Sequence, residues 1–128
     1  MELGIMNERP YDLTERFVDY SVEVIRLCEA LPETRTGRHV SGQLLRSGTS
    51  PGPNYGEARS AESVADFVHK LKIALKELRE SEIWIRVVQR AELVEPKEKT
   101  EALLRETDEL ISILMASVGT AKKREAAS

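Results

Sequence analysis

Between Ser63 and Leu93 the sequence carries two lines of largely apolar residues that interleave at helical spacing, and few architectures can use such a helix. Phe67, Leu71, Ala74, Leu78, Ser81, Ile85 and Val88 step by four and three along one line; Ile73, Glu77, Glu80, Trp84, Val87 and Ala91 form the other. A helix with two seams touches neighbours on two sides, which is the situation inside a helical bundle. Ser63 followed by Asp66 supplies a capping-box start, so this helix is predicted over about 64–93. The remaining chain provides its neighbours. Leu13, Phe17, Tyr20, Val24, Leu27 and Leu31 make an apolar seam, widened by Val18, Val22 and Ile25, in a helix over about 13–31 that Asp12 and Glu15 would cap and Pro32 would stop. Glu33 to Gly37 reads as a turn with Thr34 or Thr36 as the next cap. A helix over about 38–59 carries Val40, Leu44 and Leu45. Pro96 marks the start of another over about 97–119, with Leu103, Leu110 and Leu114 on one line, Leu104, Ile111, Met115 and Val118 on the next, and fraying near Gly119. Four helices with short connections give an all-α, up-down-up-down antiparallel four-helix bundle.

At 128 residues there is room for one domain and one core. Only 5% of residues are aromatic, and strand-like alternation is hard to find, which fits the helical reading. The single cysteine, Cys28, cannot form an internal disulfide and reads as a small packing residue. The first residues lack the basic start and apolar run of a secretory signal, and no apolar run approaches the ~18 residues of a membrane span. A cytoplasmic location is therefore expected. The net charge of -3 argues against a surface that is a nucleic-acid clamp throughout, but the charge is uneven. Residues 1–33 hold eight acids against three basic residues, whereas 35–59 hold Arg35, Arg38, Arg46 and Arg59 against Glu57 alone, and Lys122, Lys123 and Arg124 form a basic tail.

The stretch Gln43 to Ala58 departs from ordinary helix chemistry. Gln43, Ser47, Ser50, Asn54 and Glu57 occupy a seam that is normally apolar, and Gly48, Gly52 and Gly56 form a second stripe without side chains. Pro51 and Pro53 each remove a helix hydrogen bond, at a cost of about 3 kcal/mol, so the second helix is predicted to kink there. Glu77 and Glu80 lie in an otherwise apolar seam and need partners if buried. The sequence therefore predicts a buried polar network of Arg46, Asn54, Glu57, Glu77 and Glu80. It could fix helix register, or it could hold a ligand or nucleotide. If buried, truncation of Arg46 to alanine would cost about 3 to 5 kcal/mol.

Other chemistries find little support. Ferritin-like metal sites need two Glu-x-x-His motifs, and Asp66 with His69 is the nearest approach, while His39 has no acid three residues before it. No metal site or cofactor is expected. Cys28 has no histidine nearby in the sequence, Ser47 and Ser50 lack a general base, and the glycines do not form a phosphate-binding loop after a strand. An enzyme is not expected.

Gln43-Leu-Leu-Arg-Ser-Gly-Thr-Ser50, then Asn54 and Glu57, then Asp66-Phe67 with Leu71, Ile73-Ala74, Glu77, Glu80 and Trp84, resemble a bacterial family of small four-helix-bundle proteins. That family includes proteins encoded in intervening sequences of large-subunit ribosomal RNA genes and is related to the accessory protein of diversity-generating retroelements. The resemblance runs from about Asp12 to the Lys122 tail, with departures at Pro51, Pro53 and Gly56. It implies a protomer that assembles into a ring, typically a homopentamer, and related accessory proteins bind nucleic acid and a reverse transcriptase. Ring assembly would multiply weak basic contacts to RNA or DNA. The candidates for such contact are Arg35, Arg38, Arg59, Lys70, Lys72 and Lys76. The rival readings are a purely structural assembly partner for another protein and, less favoured, a small-molecule enzyme using Glu77, Glu80 and Arg46.

Overall fold

The computed structural model describes residues 10–127, which form helices α1 (Pro10–Ala30), α2 (Arg35–Thr49), α3 (Pro51–Arg59), α4 (Val64–Arg90) and α5 (Lys97–Ala127). α2 and α3 continue one another across Ser50 with a bend of about 15°, so the architecture is a four-helix bundle. Cross-helix contacts define its antiparallel order. Val24 meets Gly48 and Cys28 meets Ser41 between α1 and α2; Ser47 meets Ser81 between α2 and α4; Gln89 meets Thr100 between α4 and α5. α1 and α4 therefore run parallel at opposite corners.

Local chemistry sets the boundaries. Thr34 caps α2 by accepting from the Gly37 N–H at 3.0 Å, and Ser63 caps α4 by accepting from Asp66 N–H at 3.0 Å. α2 thus begins three residues before the expected Arg38, because the threonine satisfies its first turn. α1 begins at Pro10, ahead of the expected start near Leu13; residues 1–9 of the expected irregular lead fall outside the described residues. α4 ends at Arg90, short of the expected residue 93. α5 does not fray at Gly119: it continues to Ala127 because Ala121 is buried against the bundle beyond that glycine.

The bend at Ser50 has a simple origin. Proline fixes a φ that suits a helix, so Pro51 and Pro53 cost hydrogen bonds without reversing the chain. Ser50 itself keeps helical angles, φ -82° and ψ -34°, and the Asn54 side-chain amide donates to both the Ser50 carbonyl and its hydroxyl. Packing holds the bend. Phe17 stacks on Tyr55 with ring centroids 5.2 Å apart, and Gly48 lets α2 approach α1 so closely that a Cβ there would lie 2.6 Å from Val24.

The core follows the seams. Leu13, Phe17, Tyr20, Val24, Leu27 and Leu31 are buried, as are Phe67, Leu71, Ala74, Leu78, Ile85 and Val88. Val18, Val22 and Ile25, expected to widen the α1 seam, instead face outward, as do Leu45, Val87 and Met115. A layer of hydroxyls crosses the middle of this core. Tyr20 Oη lies 2.8 Å from Thr107 Oγ1, Ser81 also approaches the phenol, and Ser81 Oγ lies 3.1 Å from Ser47 Oγ. Thr107 donates to the Leu103 carbonyl and Ser81 is also within 3.0 Å of the Glu77 carbonyl, so α1, α2, α4 and α5 each contribute a satisfied buried hydroxyl.

Candidate functional site

The polar residues of α2 and α3 divide into three separate arrangements. Arg46 Nη1 donates to Glu77 Oε1 at 3.1 Å, its Nη2 reaches Glu80, and the Trp84 indole N–H donates to Glu80 Oε2 at 3.3 Å. Asn54 bonds only to Ser50, one turn back on its own helix. Glu57 pairs with Lys70 Nζ at 2.7 Å, which raises the lysine pKa, first through the hydrogen bond and then through the carboxylate charge. The structure thus does not form the single buried network expected of Arg46, Asn54, Glu57, Glu77 and Glu80. The spacing along α3 is the reason: Asn54 and Glu57 lie two to three turns beyond Arg46, out of reach of Glu77 and Glu80.

Exposure also changes the energetics. Glu77 is 11% exposed at its side chain but Arg46 is 52% exposed, so the pair sits at a surface seam. Arg46→Ala is therefore expected to cost about 1 kcal/mol or less in chemical denaturation, well below the value expected for a buried pair.

The basic candidates are spread over both ends of the bundle. Arg35 and Arg38 lie at the start of α2, where Arg38 donates to the Glu33 carbonyl, near the C-terminal end of α4. Arg59 ends α3 and donates to Thr14 at 3.0 Å, and Lys70 and Lys72 belong to the first turns of α4 at that same end. The 21 residues from Arg38 to Arg59 correspond to roughly 30 Å of helix, so the six residues do not form one patch on a protomer.

One basic cluster stands out among them. Lys72 lies beside Lys122 across α4 and α5, and its pKa is lowered by close contact with the Lys122 amine and by its charge. Together with Val64, Val68, His69 and Glu125 they line a cleft of about 360 Å³. Lys122 was legible only as part of a basic tail. Its approach to Lys72 depends on α5 running the full length of α4, which the expected fraying at Gly119 concealed.

Elsewhere the reactive residue types are occupied. Cys28 is buried and donates to the Ser41 carbonyl at 3.5 Å, and burial pushes its pKa up. His39 packs edge-on against Trp84 with ring centroids 6.0 Å apart. Among the described residues, no three of His, Cys, Asp and Glu gather where a metal could be held, and no helix is long and apolar enough to cross a membrane.

The family model of the 23S rRNA-intervening sequence protein matches residues 10–116. This chain belongs to that family. A crystal structure of a protein of unknown function from the S23 ribosomal protein family of Bacteroides thetaiotaomicron is 34% identical, covers 82% of this chain and 96% of its own, and superposes with a TM-score of 0.76. A comparison with curated proteins finds no match. The span shared with the intervening-sequence family contains the Arg46 pair, the hydroxyl layer and Lys72, whereas Lys122 and the tail beyond it lie outside the match.

Proposed function

We propose that this intervening-sequence family member is a non-catalytic, ring-forming interaction protein that binds nucleic acid through the basic end of its bundle. The observation that carries the reading is the Lys72–Lys122 pair. Two ammonium groups lining one cleft repel each other, and a phosphate between them would relieve the repulsion. Arg59 lies at the same end of the bundle, and Lys76 lies one turn along α4 from Lys72. A homopentamer would present five copies of this end, converting weak contacts into measurable affinity. Arg35 and Arg38, at the opposite end, are not part of the proposed contact.

Fluorescence anisotropy with single-stranded and duplex RNA and DNA tests this. The logarithm of the association constant should fall linearly with the logarithm of salt concentration. Lys72→Glu and Lys122→Glu should each weaken binding at least roughly tenfold and flatten that slope, while Arg35→Glu should change little. Equal binding by wild type and the lysine variants would contradict the proposed contact. Recovery of a protein partner after nuclease treatment, with no nucleic-acid binding, would instead favour a structural assembly partner.

A further inference from the structure

The large apolar side chains that the described part of the protomer leaves exposed fall into two groups at opposite corners of the bundle. Val18, Val22 and Ile25 recur at four and three along α1, and Leu45 is exposed on the adjacent helix α2, between the Ser41 and Gly48 positions that meet α1. Ile83 and Val87 of α4 form the other group and line a surface cleft of about 490 Å³ with Arg86, Arg90 and Ala91, while Met115 of α5 is exposed nearby against Arg79. Exposed apolar stripes at helical spacing mark a partner surface rather than a solvated face.

Their charges are opposite. Glu15, Asp19 and Glu29 flank the α1 stripe, where Arg26 is already paired with Glu23, and Arg79, Arg86 and Arg90 flank the α4 stripe, where Glu80 is already paired with Arg46. Among the described residues, Glu15, Asp19, Glu29, Arg86 and Arg90 are in no ion pair within the protomer, so these charges are unmatched as the chain stands. The heights also agree. Val24 against Gly48 and Ser81 against Ser47 set the middle of α1 level with the middle of α4 through α2, and because the two helices run parallel, Val22 and Ile83 lie level to within about a turn.

We infer that the α1 face of one copy packs against the α4 face of the next, head to tail, with Val18, Val22 and Ile25 entering the cleft between Arg86 and Arg90. This rests on the ring-forming reading above and names the surfaces that would build it. A contact between two different faces of one chain repeats around an axis, closing into a ring when the rotation permits. Pairing parallel helices keeps every copy pointing the same way, so the Lys72–Lys122 ends gather on one rim. The opposite signs of the two faces fix which face meets which and disfavour α1–α1 or α4–α4 pairing.

Light scattering and native mass spectrometry on the full chain test the assignment with Val22→Glu and Ile83→Glu. Both positions are exposed, so each variant should keep wild-type helical circular dichroism. Each alone blocks one side of every contact and should run as a monomer. Their equimolar mixture should form a heterodimer and nothing larger, because each variant retains one working face. An oligomer of wild-type mass from either variant, or a mixture that stays monomeric, would overturn the α1–α4 assignment while leaving the ring-forming reading in place. A wild-type protein that is itself monomeric would overturn that reading and this assignment together.

Discussion

Gly37→Ala is expected to lower the stability of the chain by about 1 to 3 kcal/mol, read as a lower urea midpoint with an unchanged slope. A Cβ at this buried position would lie 1.9 Å from the Pro32 carbonyl oxygen and 3.2 Å from Thr34 Oγ1. The first of these is a backbone atom that cannot rotate away. Relief would require α2 to shift off the turn that Thr34 caps, so part of the cap is lost with the contact. Gly42 provides the opposite case within the same helix. Nothing lies within 4 Å of where its Cβ would be, and Gly42→Ala should raise stability by about 0.5 to 1 kcal/mol through helix propensity. Equal effects at the two positions would show that the approach of Pro32 to α2 is not what requires glycine.

Alkaline conditions should destabilise the protein through Tyr20. Burial, opposed by hydrogen bonds to Thr107 and Ser81, raises its pKa from 10.0 to about 12. A raised pKa means that the folded state favours the neutral phenol. Its contribution is complete below pH 10, where the unfolded chain also keeps the proton, and is lost as pH rises from 10 through 12. The loss reaches about 2 to 3 kcal/mol for a shift of this size. Tyr20→Phe should remove that dependence. At pH 7 it should cost about 1 kcal/mol, because Thr107 and Ser81 keep the Leu103 and Glu77 carbonyls as partners. The stability difference between wild type and Tyr20→Phe should therefore shrink and change sign between pH 10 and 12. A difference that stays constant over that range would contradict the role given to the buried phenol.

The Tyr20 layer also marks the limit of what helical spacing reveals. Helical spacing identified the α1 and α4 seams residue by residue because burial of one stripe is what makes a helix pack. The same spacing assigned Val18, Val22 and Ile25 to the core, since periodicity reveals that a stripe is apolar but not whether the covering surface belongs to the same protomer. Tyr20 and Ser81 stand in apolar seams at helical spacing, whereas Thr107 carries no apolar signal of its own. A hydroxyl at a core position on every helix was the available signal, but it becomes a layer only when antiparallel packing sets the heights.

The candidate site was legible in part for a similar reason. Arg46 and its acids at 77 and 80 lie on facing seams at similar heights, so the pairing could be anticipated. Its half-exposed setting could not, because Arg46 occupies the edge of the α2–α4 seam. Asn54 satisfied itself locally through Ser50, a competition that an amide one turn from a serine always offers. Lys122 came into the account only because α5 runs past Gly119, where burial of Ala121 outweighs the cost of glycine in a helix.

The claim on which the functional account depends most is that this bundle assembles into a ring, and its molar mass in solution tests that most directly. Light scattering across a concentration series, at salt low enough to preserve the α1–α4 charge complementarity, should give a particle of about 72 kDa, five times the 14.4 kDa chain. A mass that stays at 14.4 kDa throughout the series would contradict the account.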